Sequence, residues 1–157
     1  MLTADLCDEG REGVRLVDDI FKSYGQLARF QGPALTLAVF EDNKLVADIL
    51  ETPGEGRVLV IDGGGSRRHA LVGGRLAGLV HSNGWAGVLV YGSIRDSAEM
   101  AELPVAVRAL GTCPVPPAKE GEGRRDVELR FAGVTIAPGE WIVADEDGIL
   151  VSSSPVE

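Results

Sequence analysis

Arg95 and Asp96 follow an apolar run, Val-Leu-Val-Tyr-Gly, that begins at Val88, and this adjacency is the most chemically suggestive feature of the 157-residue chain. A guanidinium offers a planar fork that grips a carboxylate, and a carboxylate is a hard oxygen ligand for a divalent cation. The two together could seat an anionic substrate beside a metal. The plainer reading is a solvated ion pair opening a helix, and a dipeptide alone does not decide between them. Gly73-Gly74 bears on the choice, because it precedes the helical spacing of Leu76, Leu79 and Val80. A glycine pair inside a helix would cost about 2 kcal/mol relative to alanine, so a helix is expected to start there. Its first N–H groups then lack intrahelical acceptors and suit a substrate carboxylate. Arg67, Arg68 and Arg75 are expected to raise the local positive potential.

Other candidate motifs are weaker. Asp62-Gly63-Gly64-Gly65-Ser66 invites a phosphate-binding reading, but Gly-x-Gly-x-x-Gly would need glycine where Arg68 stands, and no Gly-Lys-Ser/Thr ending follows. A tight exit from a strand accounts for the glycines better. Cys7 and Cys113 are far apart and form no Cys-x-x-Cys, while His69 and His81 lack a partner at ligand spacing. All four read as core or surface residues. Asp62 could contribute a carboxylate to a nearby site, and a general base for proton transfer is open between Asp62, Asp145 and a metal-bound water.

These groups need elements to position them. A buried strand ending at Gly92 would place Arg95 and Asp96 at its carboxyl end, the usual ligand position in an open α/β sheet. Val58 to Ile61 is a continuous apolar run, expected for a strand covered on both faces. Pro33 to Phe40 reads as a strand with Leu35, Leu37 and Val39 on one face. Thr3 is a plausible cap for a brief helix, and Asp42 and Asn43 for a helix through Leu45, Val46, Ile49 and Leu50 that Pro53-Gly54 ends. A short helix is expected over 97–102 and a strand over 105–107. Pro114 to Asp126 reads as a solvated loop. Val127 to Phe131, Val134 to Ile136, Trp141 to Ala144 and Ile149 to Val151 are closely spaced hairpin strands. The expected fold is α/β in the middle and antiparallel at the C-terminal end, in one domain over 1–157.

Composition narrows the function. A formal net charge of −9 repels phosphate backbones, which argues against direct nucleic-acid binding but leaves a basic protein partner open. No window approaches 18 consecutive apolar residues, and the N-terminus lacks a basic stretch followed by an apolar one, so no membrane association is expected and the protein is expected to be cytoplasmic.

Phe40-Glu-Asp-Asn43, the run from Arg57 through Ser66, Ala70-Leu-Val-Gly73, the run from Asn83 through Gly92, and Gly133-Val-Thr together resemble the regulator of ribonuclease activity A (RraA) family over nearly the whole chain. That family is similar to the class II 4-hydroxy-4-methyl-2-oxoglutarate aldolases, and an older label attached demethylmenaquinone methyltransferase activity to it. The resemblance implies an α/β fold of the swivelling-domain type, with a central sheet flanked by helices, assembled as a homotrimer or larger ring. The aldolase branch carries Asp, twenty residues, then Arg-Asp; Arg95-Asp96 matches the second half, and Gly74 stands where the first Asp would be. Carried over residue by residue, Asp96 would hold a divalent cation, Mg²⁺ or Mn²⁺. Arg95 would grip a small 2-keto acid, and backbone N–H groups of Gly73, Gly74, Arg75 and Leu76 would bind its carboxylate. The implied activity is retro-aldol cleavage to pyruvate together with oxaloacetate decarboxylation through a stabilised pyruvate enolate. The alternative is a non-catalytic regulator that binds and inhibits a ribonuclease of the RNase E type. A methyltransferase is not expected, since no S-adenosylmethionine glycine motif follows a first strand.

Overall fold

The computed structural model describes residues 1–157. In chain order its elements are α1 (Thr3–Asp8), β1 (Val14–Leu16), β2 (Lys22–Tyr24), β3 (Phe30–Ala38), α2 (Lys44–Leu50), β4 (Val58–Asp62), β5 (Ala70–Val72), α3 (Gly74–Ser82), β6 (Gly87–Ile94), α4 (Ser97–Met100) and β7 (Val107–Thr112). Five strands complete it: β8 (Arg124–Arg125), β9 (Leu129–Phe131), β10 (Val134–Ile136), β11 (Trp141–Asp145) and β12 (Gly148–Ser152).

The main sheet runs β1-β12-β11-β3-β4-β6-β7-β2, with β5 beside β6 and β8 beside β3. Its centre, β3-β4-β6-β7, is parallel, and both flanks are antiparallel. Each parallel step moves in the same direction across the sheet. Right-handed crossovers therefore put α2, α3 and α4 on one face. The apolar alternation of β4 records this arrangement: Leu59 and Ile61 pack with Val46 of α2, Val80 of α3 and Met100 of α4, whereas Val58 and Val60 face the opposite side. That second face has no helix and is closed by the β9–β10 hairpin through Leu129, Phe131, Val134 and Ile136. The expected central sheet stands, but its three crossover helices occupy a single face.

Several local expectations need adjustment. β6 does not stop at Gly92; it bulges and continues to Ile94, where Ser93 and Ile94 pair with β5 on one side and with Gly111 and Thr112 of β7 on the other. The same extension carries β7 to Thr112, later than the strand expected over 105–107. Leu2, not Thr3, caps α1, because the N–H and hydroxyl of Thr3 both donate to Asp145 at 2.7 Å. Residues 114–126 are not merely a solvated connection: β8 pairs with β3, and three consecutive N–H groups, of Glu120, Gly121 and Glu122, donate to the buried Asp42 carboxylate.

Candidate active site

The extended end of β6 sets the geometry. Ile94 is fully buried, and its carbonyl accepts from Cys113 N–H at 2.9 Å, while Arg95 N–H donates to the Val72 carbonyl at 2.9 Å. The chain must then turn sharply into α4, and it does so at Asp96, whose φ of 58° and ψ of 39° place a non-glycine residue in the left-handed region. Such a conformation costs of order 1 kcal/mol and persists where the surroundings over-determine it. Here the surroundings are the start of α3. Asp96 Oδ2 accepts the Gly74 N–H at 2.8 Å, so a residue 22 positions away places a carboxylate at the first turn of a helix that begins at Gly74, as the glycine pair predicts.

Arg95 and Asp96 therefore do not pair with one another. The half-buried Arg95 side chain runs past Gly73, makes only a long 3.5 Å contact with the Pro114 carbonyl, and meets no carboxylate. Both residues line a cleft of about 270 Å³ between α2 and the N-terminal end of α3, together with Gly73, Gly74, Arg75 and Leu76. All six expected site residues are thus brought together. One adjustment follows: the Gly74 N–H is already taken by Asp96, so it is not free for a substrate. The N–H groups of Arg75 and Leu76 have no such acceptor within the chain and remain available.

Glu99 carries no local sequence signal of the kind Arg95-Asp96 does; the structure sets its carboxylate against Gly74, next to the cleft, although it is not one of the residues that line it. A Cβ at residue 74 would overlap the Glu99 carboxylate, and a Cβ at residue 73 would lie 2.8 Å from Asp96 Oδ2. Gly73-Gly74 is therefore a bare backbone cradle against which two carboxylates rest. The Glu99 carboxylate occupies the space into which a side chain at position 74 would grow. The signal that could have found it is the Asp-x-x-Glu spacing of Asp96 and Glu99, the N-cap and third residue of α4. No three His, Cys, Asp or Glu side chains gather here into a metal cage. Asp96 and Glu99 are exposed hard-oxygen groups, so a divalent cation held by them would keep most of its water shell, which Mg²⁺ tolerates.

The other candidates fall away from the cleft. Asp62 turns its carboxylate to the Gly64 N–H at 2.9 Å, within its own loop. Asp145 lies beside the amino end of β3, at the opposite end of the parallel strands from the cleft, held by Thr3. Burial raises its carboxyl pKa, but hydrogen bonds from Thr3, Asp147 and Gly148 outweigh this and hold it below the ordinary carboxylate range. Arg68 pairs with Glu41 at 3.0 Å, and the Arg67 guanidinium lies against Gly111; of the three expected arginines only Arg75 reaches the cleft. The Gly63–Ser66 loop leads to β5 and not to a helix, and a Cβ on Gly64 or Gly65 would meet the rings of Phe40 or Tyr91. It is a packed strand exit without the helix N-terminus that nucleotide-binding glycine loops use. Cys7 is exposed, Cys113 is buried, and His69 Nδ1 lies 2.8 Å from the Pro116 carbonyl. No helix is long and apolar enough to cross a membrane.

Comparison with known proteins agrees with this architecture. A protein of Alkalilimnicola ehrlichii named "Putative 4-hydroxy-4-methyl-2-oxoglutarate aldolase" is 52% identical over 150 residues, covering 96% of this chain and 93% of the relative. A solved structure from Geobacillus kaustophilus, named an S-adenosylmethionine: 2-dimethylmenaquinone methyltransferase, superposes with a TM-score of 0.96 at 50% identity, covering 99% of this chain and 97% of the other. The structure of the RNA-processing inhibitor RraA from Thermus thermophilis gives a TM-score of 0.96 at 47% identity, covering 100% and 95%. With the RraA-like (Aldolase/RraA) family model matching residues 3–151, this chain belongs to the RraA-like family.

Proposed function

We propose that the protein is a divalent-metal-dependent carbon–carbon lyase. It would cleave 4-hydroxy-4-methyl-2-oxoglutarate by a retro-aldol reaction to pyruvate and decarboxylate oxaloacetate at the same site. The observation that supports this most is the pair of carboxylates, Asp96 and Glu99, resting on the Gly73-Gly74 backbone beside an Arg95 that has no carboxylate partner. In both reactions the C3–C4 bond breaks, one carbon removed from the 2-keto carbon, and its electron pair moves through C3 onto the keto oxygen, giving the enolate of pyruvate. The other fragment leaves as a second pyruvate in the retro-aldol reaction, once the 4-hydroxyl has lost its proton, or as carbon dioxide in the decarboxylation. Arg95 would receive the negative charge of the 2-keto acid, and the Arg75 and Leu76 N–H groups would hold its carboxylate. Asp96 and Glu99 would hold Mg²⁺ or Mn²⁺. When bound, the cation supplies Lewis-acid stabilisation of the developing enolate charge.

The retro-aldol reaction also needs a base for the 4-hydroxyl proton, and neither Asp62 nor Asp145 reaches the cleft. Decarboxylation needs no base and is the direct assay. Metal-stripped protein with oxaloacetate should release pyruvate only when Mg²⁺ or Mn²⁺ is added, above the rate of metal alone. The matched control is Asp96→Asn, which keeps an oxygen acceptor for Gly74 N–H and tolerates the left-handed backbone, but removes the charge. Equal rates in wild type and Asp96→Asn would refute the reading. The Gly63–Ser66 geometry gives no support to methyl transfer.

A second reading has its own observations in its favour: the net charge of −9 and the close superposition on a protein named an RNA-processing inhibitor. An acidic surface could cover the basic RNA-contacting surface of an RNase E-type ribonuclease. Such binding should weaken steeply between about 50 and 200 mM salt. Absence of binding to the purified ribonuclease at low salt would remove it.

A further inference from the structure

The cleft holds four cationic side chains, and they differ in how they are neutralised. Lys44 pairs with Asp48 at 2.5 Å and Arg75 with Glu51 at 3.5 Å. Arg95 and Lys119, which also line the cleft, make no ion pair. The cleft also carries three carboxylates: Asp48 and Glu51 are the partners just named, and Asp96 accepts the Gly74 N–H and forms no ion pair. In a chain with 24 acidic and 15 basic residues, two cations in one small cavity with no ion-pair partner are two separate attachment points for the carboxylates of a dianionic ligand. Lys119 is also held in place by its own loop. Ala118 N–H donates to the Glu41 carbonyl at 2.9 Å and Asn43 N–H to the Ala118 carbonyl at 3.0 Å. On its other side Glu120, Gly121 and Glu122 donate to Asp42, a carboxylate only 2% exposed. The backbone on both sides of Lys119 is thus fastened to the entrance of α2, and the lysine stands on a fixed wall of the cleft.

We propose that Lys119 binds the distal carboxylate of a 2-keto diacid whose 2-keto acid end lies at Arg95, and that it makes the site prefer diacids to monoacids. Asp42 is the positioning residue that holds the lysine's loop. This rests on the lyase reading for the orientation of the substrate, and its test can be separated from that reading. The probes are 2-oxoglutarate, a diacid, and 2-oxobutyrate, a monoacid, titrated calorimetrically with Mg²⁺ into wild type, Lys119→Gln and Lys119→Arg. Wild type should bind the diacid about 10-fold more tightly than the monoacid. Lys119→Gln should abolish that difference while leaving monoacid affinity within twofold, and Lys119→Arg should restore most of it. Equal diacid affinity in wild type and Lys119→Gln, parallel weakening of both probes, or no diacid binding by wild type would each overturn the assignment. Oxaloacetate turnover by the wild type is scored separately. Diacid preference lost in Lys119→Gln without any turnover refutes the lyase reading and keeps Lys119; turnover with an unchanged diacid preference does the reverse.

Discussion

Replacing Gly74 with alanine separates the stability of this site from its chemistry. Gly74 is the first residue of α3 and lies outside the left-handed region, so alanine fits its backbone and should gain up to about 1 kcal/mol of helix propensity. The added methyl group overlaps the Glu99 carboxylate. Glu99 is exposed on the four-residue α4, so its flexible side chain swings into solvent at little cost. The Gly74→Ala protein should therefore melt within about 3 °C of wild type, or slightly above it. The proposed divalent-cation site, however, would lose one of its two carboxylates. Perturbing a group that supports a metal typically weakens binding about 10-fold or more, equivalent to about 1.4 kcal/mol. Calorimetric titration of Mn²⁺, with thermal melting on the same samples, reads both quantities. Gly74→Asp supplies the internal check: it displaces Glu99 in the same way but brings a carboxylate to the same place, so Mn²⁺ affinity should return to within about threefold of wild type. A Gly74→Ala protein that melts normally and binds Mn²⁺ as tightly as wild type would refute the placement of Glu99 in the metal site.

Other perturbations test neighbouring parts of the argument. Asp96→Asn should keep the fold and lose metal-dependent decarboxylation by about 100-fold, measured as pyruvate release, whereas Asp96→Ala should in addition lower the melting temperature by several degrees, having lost both the Gly74 hydrogen bond and a residue type that tolerates the left-handed region. Asp42→Asn puts an amide donor against N–H groups that now donate to both carboxylate oxygens, and should cost about 2–3 kcal/mol in urea unfolding. Burial pushes the Asp42 carboxyl up, but the N–H groups of Lys44, Glu120, Gly121 and Glu122 outweigh it, so its folded pKa lies below the unfolded one. A lowered carboxylate pKa contributes stability that is fully present above the unfolded value of about 4 and is lost as pH falls through the folded value. Wild-type stability should therefore decline below about pH 4, and less steeply in Asp42→Asn. Ile61→Ala, at a fully buried position on the helical face of β4, should cost about 3–4 kcal/mol with no change in m-value.

Much of the framework was legible because it is written in local pattern. The unbroken apolar run of β4 announces a strand buried on both faces, and Leu35, Leu37 and Val39 alternate onto the helical side as their period requires. Gly73-Gly74 starts a helix for a reason internal to the chain, the cost of glycine inside one. The three-residue strands β1, β2 and β5 carried no such signal, since each exists by pairing with a strand distant in sequence or beyond a bulge. Residues 114–126 looked like a solvated loop because their order comes from Asp42, some 80 positions earlier, and composition does not report a buried carboxylate waiting for three N–H groups.

The sequence by itself determined which groups can do chemistry here: a guanidinium and a carboxylate at the end of a buried strand, and a glycine pair that must open a helix. Tertiary structure decided how they are used. It turned Asp96 away from Arg95 and onto Gly74 and laid the Glu99 carboxylate in the space a side chain at position 74 would need. It also set Lys119 and Arg95 in one cleft without carboxylate partners while neutralising Lys44 and Arg75. The division is physical. Strand and helix formation follow from side-chain periodicity within a few residues, whereas a site's charge balance depends on which groups meet across the sheet, and that is set only when the parallel strands are paired and their crossovers packed.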